Sequence, residues 1–143
     1  MRREELLAIL ESEGVNPNAY SLDGGHPSER LVLAHSANGW VVYYSERGLE
    51  SGWQFYATES EACEHLLNGL RRDASVYMHL VVGPLPPDEA DEAFRLWCRA
   101  RLIDQLEPPD MRVDNPALAS GPQRRYWVHG RILRHSIKRD GTP

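Results

Sequence analysis

The feature that most constrains the fold is a pair of strands leading directly into a helix, between Trp40 and Leu70. Residues 40–46 are rich in β-branched and aromatic side chains, and residues 52–57 have the composition of a return strand. Thr58-Glu59-Ser60-Glu61 matches a capping box, in which Glu61 reaches back to the amide of Thr58. Apolar residues then recur at helical spacing, at Ala62, Cys63, Leu66, Leu67 and Leu70. The pattern predicts a helix over residues 58–72.

Asn38-Gly39 indicates a hairpin turn between the strand of residues 29–36 and the strand of residues 40–46. This dipeptide suits the two positive-φ positions of a type I′ turn, and the resulting register places His35 opposite Val42. Alternation then gives apolar side chains on both faces of the hairpin. One face carries Leu31, Leu33, Trp40, Val42 and Tyr44, and the other carries Val32, Ala34, Val41 and Tyr43. A sheet that is exposed to water on one side shows polar residues on that face. Since neither face of this hairpin is polar, we expect both faces to be covered.

The remaining segments complete an α+β prediction. Leucine spacing followed by Gly14 predicts a helix over residues 3–13, and residues 19–22 and 75–82 have strand composition. Four acidic residues open a predicted helix over residues 88–106. Residues 108–122 are predicted to form a proline-rich loop, and residues 126–137 fit a helix or a strand. We therefore expect an antiparallel β-meander of about four strands with helices 3–13 and 58–72 packed on one face. A second, helix-containing half would cover part of the other face. The expected domains are residues 1–83 and a helical, basic half, residues 84–143, packed on the same domain.

The sequence carries no pattern typical of catalysis or of metal binding. The two cysteines, Cys63 and Cys98, do not form a C-x-x-C pair, and none of the six histidines has ligand spacing. Nucleotide-binding and nucleophile-elbow motifs are absent. We expect no enzyme activity, no metal and no cofactor.

Charge is distributed unevenly along the 143 residues. Residues 1–73 carry six arginines against twelve acidic residues, a net of −6, whereas residues 120–143 carry six basic residues against one acidic, a net of +5. The basic segment contains Tyr126 and Trp127 among its charges, a combination typical of nucleic-acid surfaces. Its candidate contacts are Arg124, Arg125, Arg131, Arg134 and Lys138. We prefer the alternative that this segment pairs with the acidic first half of the same chain.

A protein-binding surface is predicted at the end of the central hairpin. Aromatic residues there are surrounded by acidic ones, and Tyr, Trp and Arg dominate binding hot spots. The candidate residues are Tyr44, Glu46, Arg47, Leu49, Glu50 and Trp53. For Arg47 a structural role, capping a strand end through carbonyl contacts, is an equal alternative.

Several segments carry a resemblance to a known group of proteins: residues 19–25, 29–30, 40–48 (Trp-Val-Val-Tyr-Tyr-Ser-Glu-Arg-Gly), Phe55 and 59–70. Together they resemble small actinobacterial proteins that are identified as immunity proteins of polymorphic toxin systems. The resemblance covers residues 1–73. It implies a non-catalytic inhibitor, monomer or homodimer, that binds a cognate toxin domain directly. No catalytic residue follows from it.

The first residues lack the apolar stretch of a signal peptide, and no apolar run reaches the length of a membrane span. We therefore expect a cytoplasmic protein without membrane contact.

Overall fold

The computed structural model describes residues 1–135. They form two compact units, Met1–Val76 and Tyr77 onward. The fold is α+β, as predicted. The division follows Val76, earlier in the chain than the expected domain end at residue 83. That the second half packs on the first stays a prediction.

The first unit is a four-stranded mixed sheet with two helices. In the sheet order β1-β2-β3-β4, strands β2 to β4 form an antiparallel meander. The short edge strand β1 pairs in parallel with β2, so the expected all-antiparallel meander is wrong at this edge. The elements are α1 (Arg3–Glu13), β1 (Tyr20–Ser21), β2 (Arg30–Ser36), β3 (Gly39–Glu46), β4 (Leu49–Tyr56) and α2 (Glu59–Arg71).

Local sequence signals explain both helices. Gly14 ends α1 with a left-handed φ of 80°, as its position predicts. Thr58 caps α2 by accepting from the Glu61 amide at 3.2 Å, which confirms the N-cap. The expected reciprocal contact differs, because Glu61 Oε1 accepts from the Thr58 hydroxyl at 2.9 Å. All five apolar residues predicted for the stripe of α2 are buried.

The register between β2 and β3 differs from the predicted one by two residues. His35 pairs with Trp40 and Leu33 with Val42, so Ala37 and Asn38 form the loop and Asn38-Gly39 is not a type I′ turn. A shift of two residues preserves the alternation of faces. The expected apolar faces therefore both exist, with Leu33 and Val42 buried on one and Val32 on the other.

The two faces of this sheet have different covers. On the first face, Leu31 packs against Gly69 of α2, with its Cδ1 atom 3.3 Å from where a Cβ atom at Gly69 would lie. The Arg3 guanidinium of α1 lies over Trp40. On the second face, Val32, Val41 and Tyr43 form a cluster with Ala34, and Gly24 of the loop of residues 22–29 lies against Ala34. The Tyr43 hydroxyl anchors this loop by donating to the Gly25 carbonyl at 2.6 Å.

The second unit contains a three-stranded antiparallel sheet in the order β5-β9-β6 and a two-stranded β7-β8 ribbon. Helix α3 packs on the larger sheet, with Phe94 stacked on Tyr126 at 4.1 Å between ring centroids. The elements are β5 (Met78–Leu85), α3 (Pro87–Ala100), β6 (Met111–Asp114), β7 (Ala117–Leu118), β8 (Gly121–Pro122), β9 (Arg124–His129) and α4 (Gly130–His135).

Three predictions for this unit need correction. Helix α3 ends at Ala100 rather than at residue 106, because Leu102 adopts a φ of 59° that ends a helix. The predicted proline-rich loop of residues 108–122 contains three short strands, β6, β7 and β8. Residues 126–137 are predicted to form one helix or strand, but β9 ends at His129 and α4 follows; residues 136–137 lie outside the described residues.

Candidate protein-binding surface

The β3–β4 hairpin ends in a tight two-residue turn. Arg47 and Gly48 separate the paired residues Glu46 and Leu49, with φ values of 53° and 78°. Positive φ at both central positions defines a type I′ turn, which the sequence predicted at Asn38-Gly39 instead. Arginine seldom adopts this conformation, so the turn holds Arg47 at an unfavourable backbone angle.

A β-bulge in β4 sets the direction of the Trp53 side chain. Val42 pairs with Gln54 and Tyr44 with Ser51, so Gly52 and Trp53 together lie opposite Tyr43. Gly52 takes a φ of 67°, which a bulge of this kind requires. Trp53 consequently lies beside Tyr43, on the second face of the sheet.

The predicted binding residues do not form one surface. Tyr44, Glu46 and Leu49 belong to the helix-covered face, whereas Glu50 and Trp53 belong to the second face. Arg47 lies between them at the turn. Its side chain makes no hydrogen bond, ion pair or ring contact within residues 1–135, which gives no support to the strand-capping alternative.

Three aromatic rings form a row on the second face, here called the aromatic row: Tyr43, Trp53 and Phe55. The Tyr43 and Trp53 centroids lie 4.6 Å apart, and those of Trp53 and Phe55 lie 6.0 Å apart, with interplanar angles of 20° and 19°. Exposure rises along the row from 3% at Tyr43 to 43% at Trp53 and 70% at Phe55. The row therefore begins in the core and ends in solvent.

Phe55 and His26 also lie at this surface, but neither is among the binding residues predicted from the sequence. Phe55 pairs with Val41, so strand alternation places it on the face of Tyr43. This position could have been inferred once β4 was recognised as the edge strand. No local signal identifies His26, because its partner Glu50 is distant in the chain and the contact depends on the fold.

Carboxylates lie near a tyrosine of β3 on each face of the sheet. Glu50 Oε1 contacts His26 Nδ1 at 2.7 Å and borders the aromatic row. Burial raises the pKa of Tyr43, and the charge of Glu50 raises it further. On the opposite face, burial raises the pKa of Tyr44, with added contributions from Glu46, Glu29 and Asp73. The tyrosine hydroxyls thus stay neutral donors near carboxylates.

The arginines of the candidate nucleic-acid surface are paired with aspartates of their own unit. Arg124 donates to Asp91 at 2.8 Å, and Arg125 donates to Asp114 at 3.0 Å. Arg131 donates to Asp110 at 3.0 Å. The preferred alternative, pairing with the acidic first half, is therefore wrong for these three residues.

Two of these contacts lower the pKa of the aspartate involved. The pKa of Asp91 is lowered chiefly by the hydrogen bond from the Tyr126 hydroxyl and then by that from Arg124. Hydrogen bonding by Arg125 lowers the pKa of Asp114, and the Trp127 indole, which donates at 3.0 Å, adds to the effect. Lys138 and the side chain of Arg134 lie outside the described part of the chain.

Other features of the described residues offer less chemistry. Residues 1–135 contain no group of three or more metal-ligating side chains, and none of their helices is long and apolar enough to cross a membrane. A groove of about 510 Å³ lies at the end of α3, lined by Phe94, Cys98, Leu102, Ile103 and Leu106 with Arg95 and Arg99. Burial raises the pKa of the Cys98 thiol, which disfavours the reactive thiolate.

In comparisons with family models, with curated proteins and with solved structures, the chain matches none of them.

Proposed function

We propose that this protein is a non-catalytic inhibitor, an immunity protein that neutralises a cognate bacterial toxin domain by direct binding. The observation that carries the proposal is the exposure of large apolar side chains along one edge strand. Trp53 and Phe55 of β4, which lie side by side on the second face of the sheet, are 43% and 70% exposed. Adjacent apolar side chains in water are typical of a surface that a partner covers.

The charge of the first unit supports a basic partner. All of the excess negative charge lies there, since residues 1–76 carry six arginines against twelve acidic residues. An acidic surface accelerates association with a basic one and disfavours partners of like charge. Toxin domains that act on nucleic acids need cationic clefts, so they fit this requirement. The proposal places the inhibitor in the cytoplasm, where it would protect the cell that makes the toxin.

A growth-protection experiment tests this function. The candidate toxin is the C-terminal domain of the protein that the neighbouring gene encodes. This domain is expressed in bacteria with and without the chain, and complex formation is measured by titration of the purified proteins. Protection with stoichiometric binding is expected. Continued killing together with no measurable complex would refute the proposal.

Truncation of exposed apolar side chains locates the surface. Phe55→Ala should weaken toxin binding about tenfold or more, because it removes apolar area from the covered patch. Leu118→Ala is the matched control, since Leu118 is also exposed but belongs to the second unit. Equal affinities of the two variants would exclude β4 as the contact.

The alternative is a nucleic-acid-associated module that uses the basic segment. The aspartate pairs of Arg124, Arg125 and Arg131 leave fewer free guanidinium groups for phosphates. Retention of the full-length protein on DNA or RNA at low salt tests this alternative, because phosphate binding is strongly salt-dependent. Deleting residues 120–143 is a poor test, since it removes β9, the central strand of its sheet.

A further inference from the structure

Three of the four tryptophans in the chain carry an arginine of the chain over the ring. Arg3 lies 5.3 Å from the Trp40 centroid, and Arg101 lies 4.8 Å from that of Trp97. Trp127 has two guanidinium groups, from Arg112 at 4.8 Å and Arg125 at 5.4 Å. Within residues 1–135 no cation lies over Trp53, which is also the most exposed of the four.

We propose that the exposed end of the aromatic row, Trp53 and Phe55, receives an arginine side chain from a basic segment of the bound protein. The electron-rich faces of aromatic rings attract cations, and Trp does so best. Glu50 borders the row, and the unit that carries it has a net charge of −6. This inference rests on the proposed function and names the chemistry of the partner at that surface.

Other occupants fit the same surface less well. A partner strand added to the free edge of β4 would meet the bulge at Gly52, which interrupts regular pairing. A nucleic acid would bring phosphates toward an acidic unit, and a second copy of the chain would bring two acidic units together. A cationic protein segment has neither electrostatic penalty.

The tryptophan indole N–H signals of the full-length protein, observed by nitrogen-15 NMR, test the inference. The probes are a synthetic peptide of alternating arginine and serine and the same peptide with citrulline, which keeps the shape of arginine but lacks the charge. The arginine peptide should shift the Trp53 signal and leave Trp40, Trp97 and Trp127 nearly unchanged, because their rings already hold guanidinium groups. The citrulline peptide should bind more weakly by about fivefold or more, because it lacks the charge.

Trp53→Leu provides the matched variant, since it keeps an apolar side chain and removes the ring. It should weaken binding of the arginine peptide about fivefold, with an unchanged melting temperature as the control for folding. If this variant does not fold, the wild-type indole shifts still decide the result. An unmoved Trp53 signal, or equal binding of the two peptides, overturns the inference. A Trp53 shift that depends on protein concentration without peptide would also overturn it, because a second copy would then occupy the row.

The growth-protection experiment separates this inference from the function. Protection by Trp53→Leu at wild-type toxin affinity would overturn the arginine contact and leave the inhibitor function standing. Absence of any protection by the wild-type protein would refute the function itself.

Discussion

Arg47 offers a prediction in which stability and binding change in opposite directions. Its φ of 53° places an arginine at the first central position of a type I′ turn, and Gly48 follows at 78°. Asparagine tolerates this conformation better than other non-glycine residues, and Asn-Gly is the preferred sequence for the turn. Within residues 1–135 the Arg47 side chain makes no hydrogen bond, ion pair or ring contact that its removal would break.

Arg47→Asn should therefore stabilise the protein by about 0.5 to 1 kcal/mol, part of the cost of about 1 to 2 kcal/mol for a left-handed residue with a side chain. The melting temperature should rise by a few degrees, and the midpoint of urea unfolding should rise at an unchanged slope. If Arg47 contacts the toxin, the same variant should bind it about fivefold or more weakly, because arginine is frequent among hot spots.

Arg47→Ala is the matched control, because it removes the same charge but keeps the unfavourable backbone requirement. We expect its stability to lie within about 0.5 kcal/mol of the wild type and its toxin affinity to match that of Arg47→Asn. Destabilisation of Arg47→Ala by more than about 1 kcal/mol would show that the guanidinium has an internal role. Equal stabilities of the two variants would refute the argument from turn geometry.

Three further predictions concern stability. Thr58→Ala should cost about 1 kcal/mol in urea unfolding, since it removes the N-cap acceptor of α2; an unchanged midpoint would exclude that role. Gly83→Ala should destabilise the protein far more than Gly121→Ala in the same assay. Both glycines have positive φ, but only at Gly83 would an added Cβ lie 2.3 Å from a backbone oxygen. Similar losses of stability in the two variants would contradict this prediction. The hydrogen bond from Arg125 holds the pKa of Asp114 below its ordinary value of 3.8 in the folded protein. The ionised carboxylate therefore stabilises the fold above pH 3.8, and this contribution is lost as the pH falls through the folded-state pKa. Asp114→Asn should therefore flatten the acid limb of a pH-stability curve, and an unaltered limb would contradict the contribution.

The sequence by itself determined the features that depend on neighbours within a few residues. The α2 boundary followed from the Thr58 cap, and the end of α1 followed from Gly14. Strand alternation determined which residues share a face, so Leu33 and Val42 were correctly placed together despite an incorrect register. The proposed binding surface was predicted only in part, since Trp53 lies in the aromatic row and Phe55 was not among the candidates.

Only the tertiary structure decided the features that depend on contacts between distant segments. Two registers of the β2–β3 hairpin give the same faces, and the observed one stacks His35 on Trp40 at 3.9 Å between centroids. Two X-Gly pairs could form the type I′ turn, and the pairing of β3 with β4 placed it at Arg47-Gly48. The partners of Arg124 and its neighbours likewise depended on the position of β9 in its sheet, because charge totals along a chain do not specify which ions meet.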